Sequence, residues 1–282
     1  MHNISHAYLE HLRLKRCTEA TLHGRGCFLD KLERDLGCPP VEAHADVVAA
    51  WYAAQPRRLT ARSQATMLSQ IRSFYRWAQS QGHRPDDPTR LLPRPHVAPG
   101  RPRPMATRDV HACVQVAQGR NYAAVVLAAY AGMRAIEVSR CERSWLQPDG
   151  NLVITGKGNR TRIVPAHPLV VRAFTASEHE LLWPMMNGRQ ASAGSVSKLM
   201  NRWLHERMGL NDTFHSLRHW FGTQLYRSSR DLRLVQDLMG HSSPQTTAVY
   251  ADYWRPDVRS WRAGLALTRS CGWSLTPKPL PA

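Results

Sequence analysis

Six side chains of this 282-residue chain could share one reaction: Arg134, Lys157, His215, Arg218, His241 and Tyr250. Two guanidinium forks can bind the negative charge that grows on the non-bridging oxygens of a phosphodiester in its transition state, with no metal ion. A phenol, with an ordinary pKa of about 10, is a weak nucleophile at neutral pH and needs a base as it attacks. The leaving oxygen needs a proton, which an ammonium or imidazolium can give. A covalent phosphotyrosine keeps the energy of the broken bond, so a strand can be rejoined without ATP. The set therefore fits phosphoryl transfer from a DNA backbone to a tyrosine hydroxyl, with no cofactor and no metal.

The spacing says how these groups would be held. His215 and Arg218 stand at i, i+3, on one face of a helix. Arg134 follows a helix break near Gly132, with Glu137 three residues on. Lys157 lies between Gly156 and Gly158 in the turn of a hairpin. Gly240 reads as the left-handed cap of one helix, with His241 directly after it in the loop. Ser243 and Pro244 start the next helix, with Tyr250 about two turns in. A tyrosine on a short helix is more often packing than nucleophile, and an H-x-x-R pair alone arises often by chance. It is the combination that carries the reading.

Four motifs, in this order and spacing, resemble the tyrosine recombinase (phage integrase) family: A-G-M-R-A-I-E at 131–137, T-G-K-G at 155–158, H-S-L-R-H at 215–219 and L-M-G-H-S-S-P-Q-T-T-A-V-Y at 238–250. The last is the most specific. The resemblance implies that Arg134 and Arg218 clamp the scissile phosphate and that Lys157 protonates the leaving 5′ oxygen. It implies that His215 is a general acid/base, that His241 hydrogen-bonds the phosphate, and that Tyr250 forms a 3′-phosphotyrosine. Glu137 is assigned to structure, orienting an active-site arginine, and His219 to packing or support. Two positions depart from many relatives: Trp220 stands where Thr is common, and Ala251-Asp252 follows the tyrosine in place of Y-x-H. The resemblance is to the simple two-domain type, without the extra arm-binding domain of lambda-type integrases and without an integron-type insertion. It implies a homo-tetramer on paired double-stranded DNA sites, working through a Holliday junction, with an accessory directionality protein as a further possible partner.

The elements that must position these residues are mainly helical. Helices are expected over Asn3–Arg16, from a Thr18 cap to Leu36, over Val47–Ala54 after Asp46, and over Thr60–Gln81. The last has Met67, Leu68, Ile71, Phe74, Tyr75 and Trp77 toward one face and Arg62, Arg72 and Arg76 toward the other. From His83 to Met105 seven prolines exclude a helix, and the run reads as an extended linker. Beyond it, Thr107 is expected to cap a helix, and Tyr122–Arg140 to form two helices. Asn151–Thr155 and Thr161–Val164 are expected to form a β-hairpin. The chain is then mostly helical from Val170 to about Leu265, with breaks at 183–188, 209–212, 227–230 and 240–244. The expected fold is thus mainly α: a helical domain (1–98) that resembles the family's core-site DNA-binding domain, a Pro/Arg-rich linker (99–106) and a mostly helical domain with a small antiparallel β-hairpin (107–282), which the resemblance makes the catalytic domain. Trp254, Trp261, Leu265 and Leu267 of the tail could pack within the chain or against a neighbour.

Charge supports a polyanionic partner. The chain holds 38 basic and 21 acidic residues, for a net +17. Residues 1–100 carry 14 and 9 of these and the remainder 24 and 12, so both halves are basic. No apolar run is long enough to span a membrane, and the amino terminus lacks a signal pattern, which points to the cytoplasm. Six scattered cysteines without C-x-x-C pairs read as free thiols. No carboxylate cluster suits a Mg²⁺-dependent nuclease. The integrase reading stands beside three others: a Xer-type chromosome-dimer resolvase, a type IB topoisomerase with the same chemistry, and a relative that binds DNA without cutting it. The intact six-residue set argues against the last, and the separate helical domain and short length against the topoisomerase.

Overall fold

The computed structural model describes residues 3–55, 59–98, 100, 102–156, 160–241 and 243–253. The chain divides into two compact units, Met1–Pro99 and Gly100–Ala282.

The first unit holds α1 (Asn3–Leu14), α2 (Glu19–Leu36), α3 (Ala45–Ala53) and α4 (Ala61–Ser80). Thr18 caps α2, its side chain accepting from the Thr21 N–H, and Gly37 closes it in the left-handed region at φ 71°. Thr60 caps α4 in the same way. α3 starts earlier than its acidic residue suggested, with His44 and not Asp46 at the cap. Along α4, Leu68, Ile71, Phe74, Tyr75 and Ala78 recur at helical spacing and are buried. They meet Tyr8 of α1, whose ring stands edge-on to Phe74 at 5.4 Å, and Leu29 and Leu32 of α2. The proline-rich stretch has no helix, but much of it is docked. Arg84 donates to the carbonyls of Val41 and Ala43, Arg72 donates to that of Leu92, and Thr89 and Leu92 are buried. Arginine donors thus take up loop carbonyls that no helix or strand pairs.

The second unit is built around α6 (Gly119–Tyr130), in which every residue from Ala123 to Ala129 is buried. Such a helix must be covered on all sides. α5 (Thr107–Val116), α8 (Pro168–Thr175) and α10 (Phe214–Ser229) pack on it, and the short α7 (Ala135–Val138) packs on α9 (Ala193–Met208). β1 (Asn151–Thr155) and β2 (Thr161–Pro165) pair antiparallel, with Leu152 opposite Val164 and Ile154 opposite Arg162. α11 (Leu232–Met239) and α12 (Pro244–Tyr253) follow α10. The break expected at 183–188 extends from Ala176 to Ser192, because Leu181, Leu182 and Trp183 are contiguous rather than helically spaced; the last two are buried. Thr107 does not cap α5; Ala106 does, and the Thr107 hydroxyl accepts from the Trp220 indole at 3.0 Å. That bond and the Tyr130 ring at 5.4 Å account for the tryptophan at position 220. The tail residues Trp254, Trp261, Leu265 and Leu267 lie outside the described residues. Among the described residues no helix is long and apolar enough to cross a membrane.

Candidate active site

The site is assembled in the second unit from four places in the chain. The turn before α7 supplies Arg134, α10 supplies His215 and Arg218, the loop after α11 supplies His241, and α12 supplies Tyr250. Lys157 lies outside the described residues; the ends of its turn are joined by the Gly156 N–H donating to the Arg160 carbonyl at 2.8 Å.

The hub is Glu137. Its carboxylate accepts the Arg134 main-chain N–H at 2.8 Å and an Arg134 guanidinium N–H at 2.9 Å. It also accepts both terminal nitrogens of Arg162, at 2.9 and 2.8 Å. Arg218 Nη1 stands 3.8 Å from the same group. The R-x-x-E spacing is thus half a capping arrangement: the third residue of the helix reaches back to the N–H of its cap. Burial alone would raise the Glu137 carboxyl, but the Arg162 guanidinium, the Arg134 N–H and Arg218 outweigh it and hold it at about 2.

The two expected clamp arginines are pinned by carbonyls as well. Arg134 Nη2 donates to Gly240 at 2.9 Å. Arg218 donates to Gly132 through Nη1 and to Met239 through Nη2, the latter at 2.6 Å. Gly132 adopts φ 60°, and the ring of Phe221 lies where a Cβ would stand, at 2.5 Å. Only glycine fits that turn, which is the physical content of A-G-M-R. Arg218 is 2% exposed. Burial first, and then the Arg134 charge, lower it to about 9, so it remains a cation at neutral pH.

Tyr250 is 2% exposed. Burial raises its phenol to about 12, against the opposing pull of Arg218 and Arg134. Its Oη lies 3.1 Å from Nδ1 of His219. The His241 ring lies parallel to the phenol ring, with centroids 6.3 Å apart, while its Nδ1 meets the Thr247 hydroxyl at 2.9 Å. The ring of His215 stands edge-on to that of His219 at 4.5 Å. Burial lowers all three histidines, followed by Arg218 and Arg134 for His215, by His215 and Arg218 for His219 and by Arg218 and Arg134 for His241. His219 falls to about 4 and His241 to about 3, so both are neutral at pH 7. Among the described residues, no three His, Cys, Asp or Glu side chains stand close enough to hold a metal ion.

Five of the six candidate residues therefore meet in one cluster, with Arg218 and Tyr250 buried and His215 at its exposed edge. Two further residues belong to it. His219 touches the phenol oxygen instead of merely packing behind it. Arg162, on β2, was not among the candidates; besides Glu137 it binds the Leu238 carboxyl-end carbonyl of α11 through Nε at 2.9 Å. It could have been found from the strand period, since position 162 falls opposite Ile154 on the buried face of the hairpin. A cation on a buried strand face must have a partner.

The sequence pattern of the phage integrase family matches residues 105–254. The chain is 33% identical over 219 residues to tyrosine recombinase XerD of Rhizobium meliloti (strain 1021), covering 67% of this chain and 70% of that protein. Its fold is similar to that of a lambda integrase dimer bound to a COC′ core site, with a TM-score of 0.74 at 20% identity over 91% of this chain and 98% of the other. It is similar also to a lambda integrase tetramer bound to a Holliday junction, with a TM-score of 0.70 at 19% identity over 86% and 77%.

Proposed function

Since the chain belongs to the phage integrase family of tyrosine recombinases, which carry out site-specific DNA recombination by strand transfer, we propose that Tyr250 is its nucleophile. One observation carries the reading: the Tyr250 phenol is buried in the cluster that holds Arg218, its oxygen 3.1 Å from Nδ1 of the next residue, His219. In this reading a scissile phosphate displaces the carbonyls of Gly132, Met239 and Gly240 from the two guanidinium groups, which then hold its developing charge. Tyr250 attacks to form a 3′-phosphotyrosine, His215 serves as acid/base and His241 hydrogen-bonds the phosphate. Lys157 gives the 5′ oxygen its proton. Rejoining reverses these steps, with neither metal nor ATP.

The substrate is double-stranded DNA, engaged by a homo-tetramer on paired sites; the lambda integrase tetramer on a Holliday junction supports that assembly. Residues 1–98 form the core-site DNA-binding domain and 107–282 the catalytic domain, joined through 99–106. A groove of about 670 Å³ in the first unit, lined by Lys15, Arg72, Arg76 and Arg94 among others, supports the DNA-binding role. Integration of a phage or other mobile element, in the cytoplasm and with a directionality protein, is the biological setting. The likeness to a XerD favours a second setting, resolution of chromosome dimers. Recombination of a supercoiled plasmid carrying two direct sites separates the two: efficient resolution of identical sites without an integration product supports the second.

The decisive experiment uses a DNA duplex nicked close to the cut site, so that the short strand is lost after cleavage. We expect a covalent protein–DNA adduct to form in EDTA and to vanish in Tyr250→Phe. An adduct that survives in that variant overturns the nucleophile assignment.

A further inference from the structure

We propose that His219 is a positioning residue for the attacking phenol, with its Nδ1 accepting the Tyr250 hydroxyl proton and thereby fixing the direction of the oxygen lone pairs. This deepens the reading of Tyr250 as nucleophile and rests on it.

The geometry is specific. Nδ1 and Oη are 3.1 Å apart, a normal hydrogen bond between residues 31 positions apart in the chain. His241, the other ring facing the phenol, uses its own Nδ1 on Thr247 and lies parallel to the tyrosine ring. His215 meets His219 edge-on, which leaves His219 between the acid/base group and the nucleophile. His219 is half-buried beside Arg218, and charge on it is disfavoured by burial, by His215 and by Arg218. A neutral imidazole has one donor and one acceptor nitrogen. The phenol has a single proton to give, so acceptance by Nδ1 settles where that proton points. A nitrogen this weakly basic does not strip the proton in the resting site; it orients it.

The position on α10 explains why this matters. Arg218 and His219 are consecutive, so the phosphate clamp and the phenol holder move as one rigid turn of helix. A phosphate drawn to Arg218 meets an oxygen already aimed from the neighbouring residue. Alignment of this kind is worth a large factor in rate, because reacting atoms must approach within about 3–3.5 Å on the correct line. Gly222, one turn on, keeps the approach open: a Cβ there would stand 2.7 Å from Tyr250 Cζ.

The test uses the full chain on nicked duplexes with single-turnover adduct formation, DNA affinity by gel shift and melting temperature measured together. His219→Leu removes the acceptor at similar volume. We expect it to slow adduct formation at least tenfold while affinity changes less than threefold. His219→Asn puts Oδ1 where Nδ1 was and should recover most of the rate. His219→Gln is polar but carries its amide one bond too far, so it should be as slow as His219→Leu and replaces it should the leucine variant fail to fold. A duplex with sulfur in place of the leaving 5′ oxygen needs no proton at the leaving group; the His219→Leu defect should persist on it. A wild-type rate in both His219→Leu and His219→Gln, an asparagine variant as slow as these, or full rescue by the sulfur substrate would overturn the inference while Tyr250→Phe stays blank. An adduct in Tyr250→Phe would instead overturn the nucleophile assignment, and this inference with it.

Discussion

Glu137 contacts no candidate nucleophile, yet the residue-scale chemistry turns on it. Its carboxylate is fully buried and shared among Arg134, Arg162 and Arg218. Holding its carboxyl near 2, below an unperturbed value of 4.5, corresponds to about 3 kcal/mol of stability at pH 7. The folded pKa is depressed, so this contribution is complete above about pH 5 and is lost as pH falls from 4.5 toward 2. The depressed histidines act earlier and in the same direction. Below pH 6.5 the unfolded chain gains protons on His219 and His241 that the folded chain resists, down to about 4 and 3. Urea denaturation at a series of pH values should show stability declining below pH 6.5 and more steeply below 4.5. Glu137→Gln keeps the shape but strands the buried cations, and should lower stability by about 3–5 kcal/mol at pH 7. A variant with an unchanged urea midpoint would contradict the hub role. The R-x-x-E spacing was legible in the sequence. The third cation was legible only as an arginine on a buried strand face; that its partner is Glu137, 25 residues away, was decided by folding.

Among the elements, α10 and α12 meet at Gly222, and this contact sets where Tyr250 can stand. A Cβ at position 222 would lie 2.5 Å from Met239 Sδ and 2.7 Å from Tyr250 Cζ, closer than packed atoms approach. Gly222→Ala should therefore cost about 1–3 kcal/mol through overpacking and displace α12. Its adduct rate should fall further than its melting temperature alone would suggest. Gly26→Ala is the control: it too lies in a helix, but its nearest neighbour is Leu9 Cδ1 at an ordinary 3.5 Å. It should be neutral or stabilising by up to about 1 kcal/mol. Equal adduct rates in the two variants would show that α12 tolerates the added methyl. Most elements could be read from the sequence because their signals are local: the Thr18 cap, the left-handed Gly240 and the period of α4. Thr107 departs from its expected capping role because its hydroxyl serves Trp220, 113 residues away. Tertiary demand overrode a local preference.

For the whole molecule, a net +17 divided over both units implies binding governed by counterion release. Arg94 lines the basic groove of the first unit and is exposed. Arg94→Ala should weaken DNA binding at low salt with little effect on stability. If Arg94 contacts a phosphate, the slope of log affinity against log salt should become shallower by about 1. An unchanged slope would remove this residue from the interface. The sequence by itself determined the chemistry available to this protein: the residue types, their order and the helical and hairpin settings that present them. Those properties follow from side-chain functional groups and from interactions within a few residues. Only the tertiary structure decided that Glu137 binds three arginines, that Arg162 belongs to the cluster, and that His219 holds the phenol. Each of these depends on burial and on contacts between distant segments, where removal from water makes a hydrogen bond or an ion pair obligatory. The sequence shows that the atoms are present, whereas burial dictates which of them must pair.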